Sequence, residues 1–236
     1  MKISRKMTAM MHKLFDGIIP PFLRDSRWFM TFIFRIVYKN KADVFLDFKS
    51  KAMKMSDEEF CRTYENINVC VDKLLSRESD LNQGCIDDIL KSIIGNNVLD
   101  VGCGRCFLSR LMSRKHKVTG LDIVIDSECR KYKGISLREG NVEYLPFADR
   151  SFDTVVCAHT LEHVRHLQQA IKELRRVSRK RLIIIVPKQR PYKYTFDLHL
   201  HFFPYPESLI AVMAEKERKT ICKEVDGDLF YMETAE

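Results

Sequence analysis

Asp100-Val101-Gly102-Cys103-Gly104-Arg105-Cys106 comes directly after the apolar run Asn97-Val98-Leu99. The run reads as a buried strand, and Arg105 to Ser113 as the helix after it. Two glycines at the mouth of a strand let the backbone turn sharply and bring it close to a ligand. The free N–H groups of the helix point at the same place, which suits a carboxylate or a phosphate. A Gly-x-Gly turn alone does not require a ligand, so its meaning depends on residues further along the chain.

Beyond this segment, short β-branched runs alternate with helical stretches, the pattern of an α/β domain with a mostly parallel sheet. Val118–Val124 reads as a second strand, Gly134–Arg138 as a third, Phe152–Ala158 as a fourth and Leu182–Val186 as a fifth. Leu161, Val164, Leu167, Ile171, Leu174 and Val177 recur at three and four residues, which predicts a helix from Leu161 to Val177. Thr220–Val225 and Leu229–Thr234 flank Asp226-Gly227-Asp228, which predicts a hairpin. The expected architecture is a Rossmann-like, mostly parallel seven-stranded sheet with an antiparallel C-terminal hairpin, preceded by a helical region. The domain reading is 1–80 for the helical region and 81–236 for the α/β domain.

Two downstream features turn the glycine loop into a nucleoside site. Asp122 falls about twenty residues on, where a carboxylate can accept both ribose hydroxyls; read alone, it is also a solvated strand-end acid. The loop Gly140-Asn141-Val142-Glu143-Tyr144-Leu145-Pro146-Phe147 offers the amide oxygen of Asn141 and the backbone N–H of Val142 to an adenine ring; read alone, it is an ordinary connecting loop. A dinucleotide site would place a third glycine at the position of Phe107, and no Gly-Lys-Ser/Thr is present there for a phosphate loop.

Val98–Gly104, then Gly120-Leu121-Asp122, then Asn141–Phe147 with Ser151-Phe152-Asp153, resemble the first three motifs of class I S-adenosylmethionine-dependent methyltransferases. The resemblance covers about residues 81–205 and is nearest the group containing ubiquinone and menaquinone biosynthesis methyltransferases. It implies S-adenosylmethionine as cofactor, with Gly102 and Gly104 cradling the methionine end and Asp100 orienting the loop and the amino group. Asp122 would hold the ribose, and Asn141 with Val142 the adenine. His159 would lie near the methionine carboxylate and the methyl. Two departures stand out: Cys106 replaces a third glycine, and Asn141 stands where aspartate is more usual. They leave a non-catalytic or weakly active cofactor-binding module as the alternative to an enzyme.

An oxygen acceptor must lose a proton, so a base is sought among the histidines. His163 comes after the fourth strand, with His159 and Glu162. His199 and His201 lie two apart after the fifth strand; in an extended segment they share a face with Asp197. Glu162 and His166 are expected on helix surfaces. His199 and His201 lack a convincing third ligand, and the Cys103-x-x-Cys106 pair has no second pair at metal spacing, so no metal site is assigned. The eight cysteines are irregularly spaced and no secretory signal is read after Met1, so reduced thiols in a cytoplasmic setting are expected.

The net charge of +8 is unevenly placed. Residues 1–54 carry twelve Lys and Arg against four Asp, and the rest of the chain balances. Trp28–Tyr38 is intensely apolar, bordered by Arg24 and Arg27 before it and Lys39 and Lys41 after it, and too short to span a bilayer. Met7–Ile19 reads as a second amphipathic helix. This region is expected to serve either as a lid with buried aromatics or as a peripheral contact with an anionic membrane surface, on the inner face of a membrane. Nucleic acid is disfavoured, because the cations are strung along an apolar helix without a recognised nucleic-acid fold. The reading is an enzyme that methylates oxygen of a small, apolar or lipid-linked acceptor.

Overall fold

The computed structural model describes residues 10, 14–15, 18–74, 78–215 and 218–235, with the side chains of 65 and 67–74 set aside. The expected Met7–Ile19 helix lies largely outside these residues. The chain divides into two units, 1–77 with 190–200, and 78–189 with 201–236.

In the α/β unit the strands are β1 (Asn97–Val101), β2 (Lys117–Asp122), β3 (Ile135–Glu139), β4 (Phe152–Ala158), β5 (Ser178–Pro187), β6 (Lys219–Val225) and β7 (Asp228–Thr234). They form one sheet in the order β3-β2-β1-β4-β5-β7-β6. The first five run parallel; β7 pairs antiparallel with both β5 and β6. The sheet is apolar on both faces. Leu99, Val101, Val155, Cys157, Leu182, Ile184 and Val186 enter one core, while Val98, Val156, Ile183 and Ile185 enter the other. This two-sided burial is why the strands read as continuous apolar runs rather than alternating ones. Asp226 and Gly227 both take positive φ, 46° and 88°, as the two-residue turn of a β6–β7 hairpin requires.

Helix α1 (Gln83–Ser92) and the short α2 (Phe107–Met112) cover the second core, and α3 (Leu167–Val177) and α4 (Pro206–Met213) the first. Two helices begin later than the sequence pattern predicts. Cys106 is left-handed (φ 58°, ψ 23°) and buried, so α2 starts at Phe107 rather than Arg105. Helix α3 starts at Leu167 rather than Leu161. The buried carboxylate of Glu143 accepts the N–H groups of Arg165 (2.8 Å) and His166 (3.0 Å) and fixes the chain ahead of the first turn. Strand β2 stops at Asp122, whose own carboxylate accepts the Ile123 N–H at 2.8 Å.

The helical unit contains α5 (Arg27–Tyr38), α6 (Ala42–Lys51) and α7 (Asp57–Leu74). Ser56 and Glu59 form a reciprocal cap at the start of α7. The core is aromatic: Tyr38 stacks on Phe45 at 3.8 Å, and Phe34 meets Phe196 edge-on at 5.0 Å. Segment 190–200 belongs to this unit. The Tyr38 hydroxyl donates to Phe196 O (2.9 Å) and Lys49 Nζ to Tyr192 O (2.7 Å). The chain departs and returns at one point of the α/β unit, where Lys188 pairs with Phe203 and Gln189 N donates to Phe203 O.

Asp153 anchors the start of the sheet. Its carboxylate accepts from the Asn96 and Asn97 N–H groups at 3.0 and 3.1 Å and from Arg179 and Lys180. Hydrogen bonding from Arg179, with the Asn97 and Asn96 amides and Lys180 behind it, overcomes burial and holds its carboxyl well below the usual range. A Cβ on Gly95, which has φ +77°, would fall 2.3 Å from Asp153 Cγ. Gly95→Ala is therefore expected to destabilise the chain by about 2–4 kcal/mol, from backbone strain and overpacking combined. Denaturant unfolding measures this directly.

Candidate functional site

The strand order reverses between β1 and β4, and open α/β sheets bind ligands at the carboxyl ends of strands beside such a switch. The loop after β1 lies there. Gly102 (φ +73°) and Gly104 (φ +49°) are both left-handed. The Gly102 and Cys103 N–H groups donate to Leu121 O at 2.8 and 3.0 Å, tying the loop to β2. A Cβ on Gly102 would lie 1.9 Å from Thr160 Oγ1. Thr160 Oγ1 is itself placed by Val101 O (3.3 Å) and Ala158 O (3.1 Å), so Gly102 is fixed from three strands. A Cβ on Gly104 would meet nothing within 4 Å. Open space therefore begins at Gly104, and a ligand can approach the backbone there.

Asp100, the fourth residue of β1, is buried, and its carboxylate accepts from Ser109 Oγ at 2.5 Å. Burial pushes its pKa up to about 6, against the hydrogen bond from Ser109. Its side chain thus holds the loop onto α2. Asp122 closes β2. One oxygen accepts from the Gly104 N–H (2.8 Å), the other from Ile123. Burial raises its pKa, and the backbone amides of Gly104, Val124 and Ile123 oppose the rise. Each oxygen still has acceptor capacity for a ribose hydroxyl, and the residue is only half-buried. The fit to a nucleoside rests on this carboxylate beside the open Gly104 backbone.

Asn141 Oδ1 accepts from the Glu143 N–H at 2.9 Å, so the amide oxygen that the sequence reading gave to adenine also closes its own turn. The Val142 side chain is buried in the core. The loop is held further by Glu173, which accepts from the Leu145 N–H at 2.8 Å.

His159 comes after β4 with φ 51°, its N–H donating to Ile185 O. Its ring lies between two carboxylates, Nδ1 3.4 Å from Glu162 and Nε2 3.6 Å from Asp228. Burial lowers its pKa, but Asp228 and Glu162 more than offset this and raise it to about 10. Both ring nitrogens face a carboxylate that favours the protonated ring, so His159 is unsuited to act as a base. Asp228 is also held by Asn82, whose amide caps α1. Glu162, expected on a helix surface, is buried in the loop ahead of α3.

His163 is partly exposed, with Nε2 4.0 Å from Glu162, and lies near Asp122. The expectation that Asp197, His199 and His201 share one face of an extended segment does not hold. Leu198 is left-handed (φ 56°), which breaks the two-residue alternation. His199 and Asp197 fall in the helical unit, and His201 in the α/β unit. The His201 N–H donates to Glu162 O, and Nε2 lies 2.9 Å from Val164 O. Thr160, Ser109 and Glu162 are the supporting groups that the sequence reading did not assign. Thr160 reaches Val101, 59 residues back, and Ser109 reaches Asp100 across the glycine turn, contacts that carry no periodic signal.

Two outcomes test this geometry. Gly102→Ala should cost at least about 2 kcal/mol and abolish S-adenosylmethionine binding, while Gly104→Ala costs about 1 kcal/mol of stability, because only its backbone is strained; calorimetry on both variants separates them. The His159 pair should also set a pH dependence. A raised folded pKa contributes stability fully below pH 6.5 and loses it as pH climbs through about 10. The melting temperature of the native chain should fall across that window more steeply than that of His159→Asn.

Comparison with known proteins gives the same reading. Residues 99–186 match the family model described as a methyltransferase domain. Over 98 residues, 36% of this chain and 42% of the relative, the chain is 37% identical to a demethylmenaquinone methyltransferase of Alkalihalophilus pseudofirmus. Over 107 residues it is 31% identical to a probable S-adenosylmethionine-dependent methyltransferase of Mycolicibacterium smegmatis, covering 44% of this chain and 41% of that one. The chain thus spans less than half the length of these two relatives. In fold it is similar to a Thermotoga maritima protein described as a SAM-dependent methyltransferase, possible histamine N-methyltransferase (TM-score 0.53, 18% identity, 75% of this chain and 97% of that one). It is also similar in fold to a SAM-dependent methyltransferase from Aquifex aeolicus (TM-score 0.51, 20% identity, 63% and 88%). Residues 99–186 thus match a methyltransferase domain within a Rossmann-like fold shared with S-adenosylmethionine-dependent methyltransferases, and this likeness implies S-adenosylmethionine as the cofactor.

Proposed function

We propose that this domain transfers a methyl group to oxygen of a small, apolar or lipid-linked acceptor, with His163 as the base. S-adenosylmethionine, when bound, would supply an electrophilic methyl: an O–CH3 bond would form in line as the S–CH3 bond breaks, its electron pair leaving on the sulfur of S-adenosylhomocysteine. The chain's own work is alignment, exclusion of water and removal of one proton. Gly102 lets the loop turn against Thr160, Gly104 keeps the backbone open to the methionine end, and Asp122 offers acceptors to the ribose. His159, held between Glu162 and Asp228, fixes the loop after β4 beside Thr160.

The observation that carries the choice of base is the position of His163. It is partly exposed, beside the buried carboxylate of Glu162, and near Asp122, the carboxylate offered to the ribose. His159 is excluded by its proton, and His201 has Nε2 against the Val164 carbonyl. An apolar acceptor is supported by the demethylmenaquinone methyltransferases among the relatives.

The alternative, a cofactor-binding module without turnover, rests on Cys106. Its buried side chain joins Cys103, Ile125 and Cys129 beneath the loop rather than the open space at Gly104. This favours turnover. The test is release of S-adenosylhomocysteine with phenolic, quinol and lipid-extract acceptors. His163→Ala should lower kcat by about a hundredfold or more while leaving cofactor affinity unchanged. A full rate in that variant would remove the base assignment. Cofactor binding with no turnover on any acceptor would favour the non-catalytic module.

A further inference from the structure

Helix α5 has two apolar faces, and only one is packed. Met30 and Phe34 are buried in the aromatic core of the helical unit. On another face Trp28, Phe32 and Ile36 recur every four residues and are 70%, 65% and 65% exposed. Phe22 and Ile18, ahead of the helix, are equally bare. Single exposed apolar side chains are ordinary, but a line of large ones on one helix face marks a docking surface.

The surroundings say what docks there. Helix α5 carries no acidic residue. Exposed Arg35 is three residues from both Phe32 and Tyr38, and exposed Lys39 is three from Ile36, so both cations border the stripe. Arg27 is exposed too, and pairs with Asp47 at 2.8 Å; Asp47 also pairs with Lys51. Asp25 accepts from the Lys193 N–H, and Asp43 stands at the start of α6. Among the described residues, no helix is long and apolar enough to cross a membrane. A helix of this length with an aromatic-aliphatic stripe and bordering cations matches the chemistry of a bilayer interface: acyl chains for the stripe, anionic headgroups for the cations.

We propose that the Trp28–Phe32–Ile36 face of α5 docks the protein onto an anionic bilayer surface, lying in the interface rather than crossing it. This inference stands apart from the chemistry of the methyltransferase site. It gives the region of +8 excess charge a partner of opposite sign.

The experiment is flotation of the full chain with phosphatidylcholine vesicles, with and without phosphatidylglycerol. The native chain should float only with the anionic vesicles, and less so as salt is raised. The variant W28S/F32S/I36S should bind more than about tenfold more weakly. R35Q/K39Q should weaken binding by about fivefold per charge removed. All these side chains are exposed, so the variants should keep the native melting temperature and calorimetric S-adenosylmethionine affinity. That constancy separates failure at this face from failure of the cofactor site. Equal flotation of the triple variant and the native chain overturns the proposal. So does a native chain that stays unbound with every vesicle, including one whose sedimentation shows a dimer that the triple variant abolishes; that result assigns the face to a second copy.

Discussion

The site depends on a steric constraint at the end of β1. Gly102 has no room for a side chain, because the Thr160 hydroxyl occupies the place its Cβ would take. That hydroxyl is held by carbonyls of β1 and β4, and the Gly102 amide by a carbonyl of β2. The turn is therefore set by three neighbouring strands at once. Two residues later the constraint vanishes, and Gly104 looks onto open space with its amide fixed by Asp122. Tightness beneath the loop and openness above it together create a place where backbone can face a ligand.

Charge is organised around this loop with equal economy. Asp100 and Asp122 are carboxylates whose ionisation burial resists and hydrogen bonds support. His159 is the opposite case, a cation stabilised by two acids from different parts of the chain, Glu162 and Asp228. Asp228 begins β7 and is tied through Asn82 to the start of α1. The cation beside the cofactor loop is thus positioned by the C-terminal hairpin, an element remote in sequence from the glycine motif.

Much of the sheet was legible because its strands are buried on both faces and so stand out as unbroken apolar runs. The hairpin was legible because Asp-Gly favours the positive φ pair that the turn needs. The errors share a cause: a tertiary partner overrode a local pattern. The spacing of Leu161 and Val164 fits a helix, yet both serve as core anchors of a non-helical loop that Glu143 holds. Cys106 read as a helix residue, since nothing local reports its left-handed backbone. The 197–201 alternation looked like a strand until Leu198 turned it. In the site, the motif residues could be named in advance, whereas the Thr160 and Ser109 contacts and the burial of Glu162 depend on how the turn and the strands come together in three dimensions.

The 190–200 excursion has a consequence for how the chain is made. The aromatic core around Phe34, Tyr38 and Phe45 is completed by Phe196, and the Tyr38 hydroxyl bonds a carbonyl 158 residues downstream. At ordinary rates of synthesis that partner emerges roughly ten to thirty seconds after Tyr38. These helices therefore spend the interval in which β1 to β5 are synthesised without the residue that closes their core. These helices are thus translated ahead of the sheet, yet their aromatic core closes only after β5 has been made.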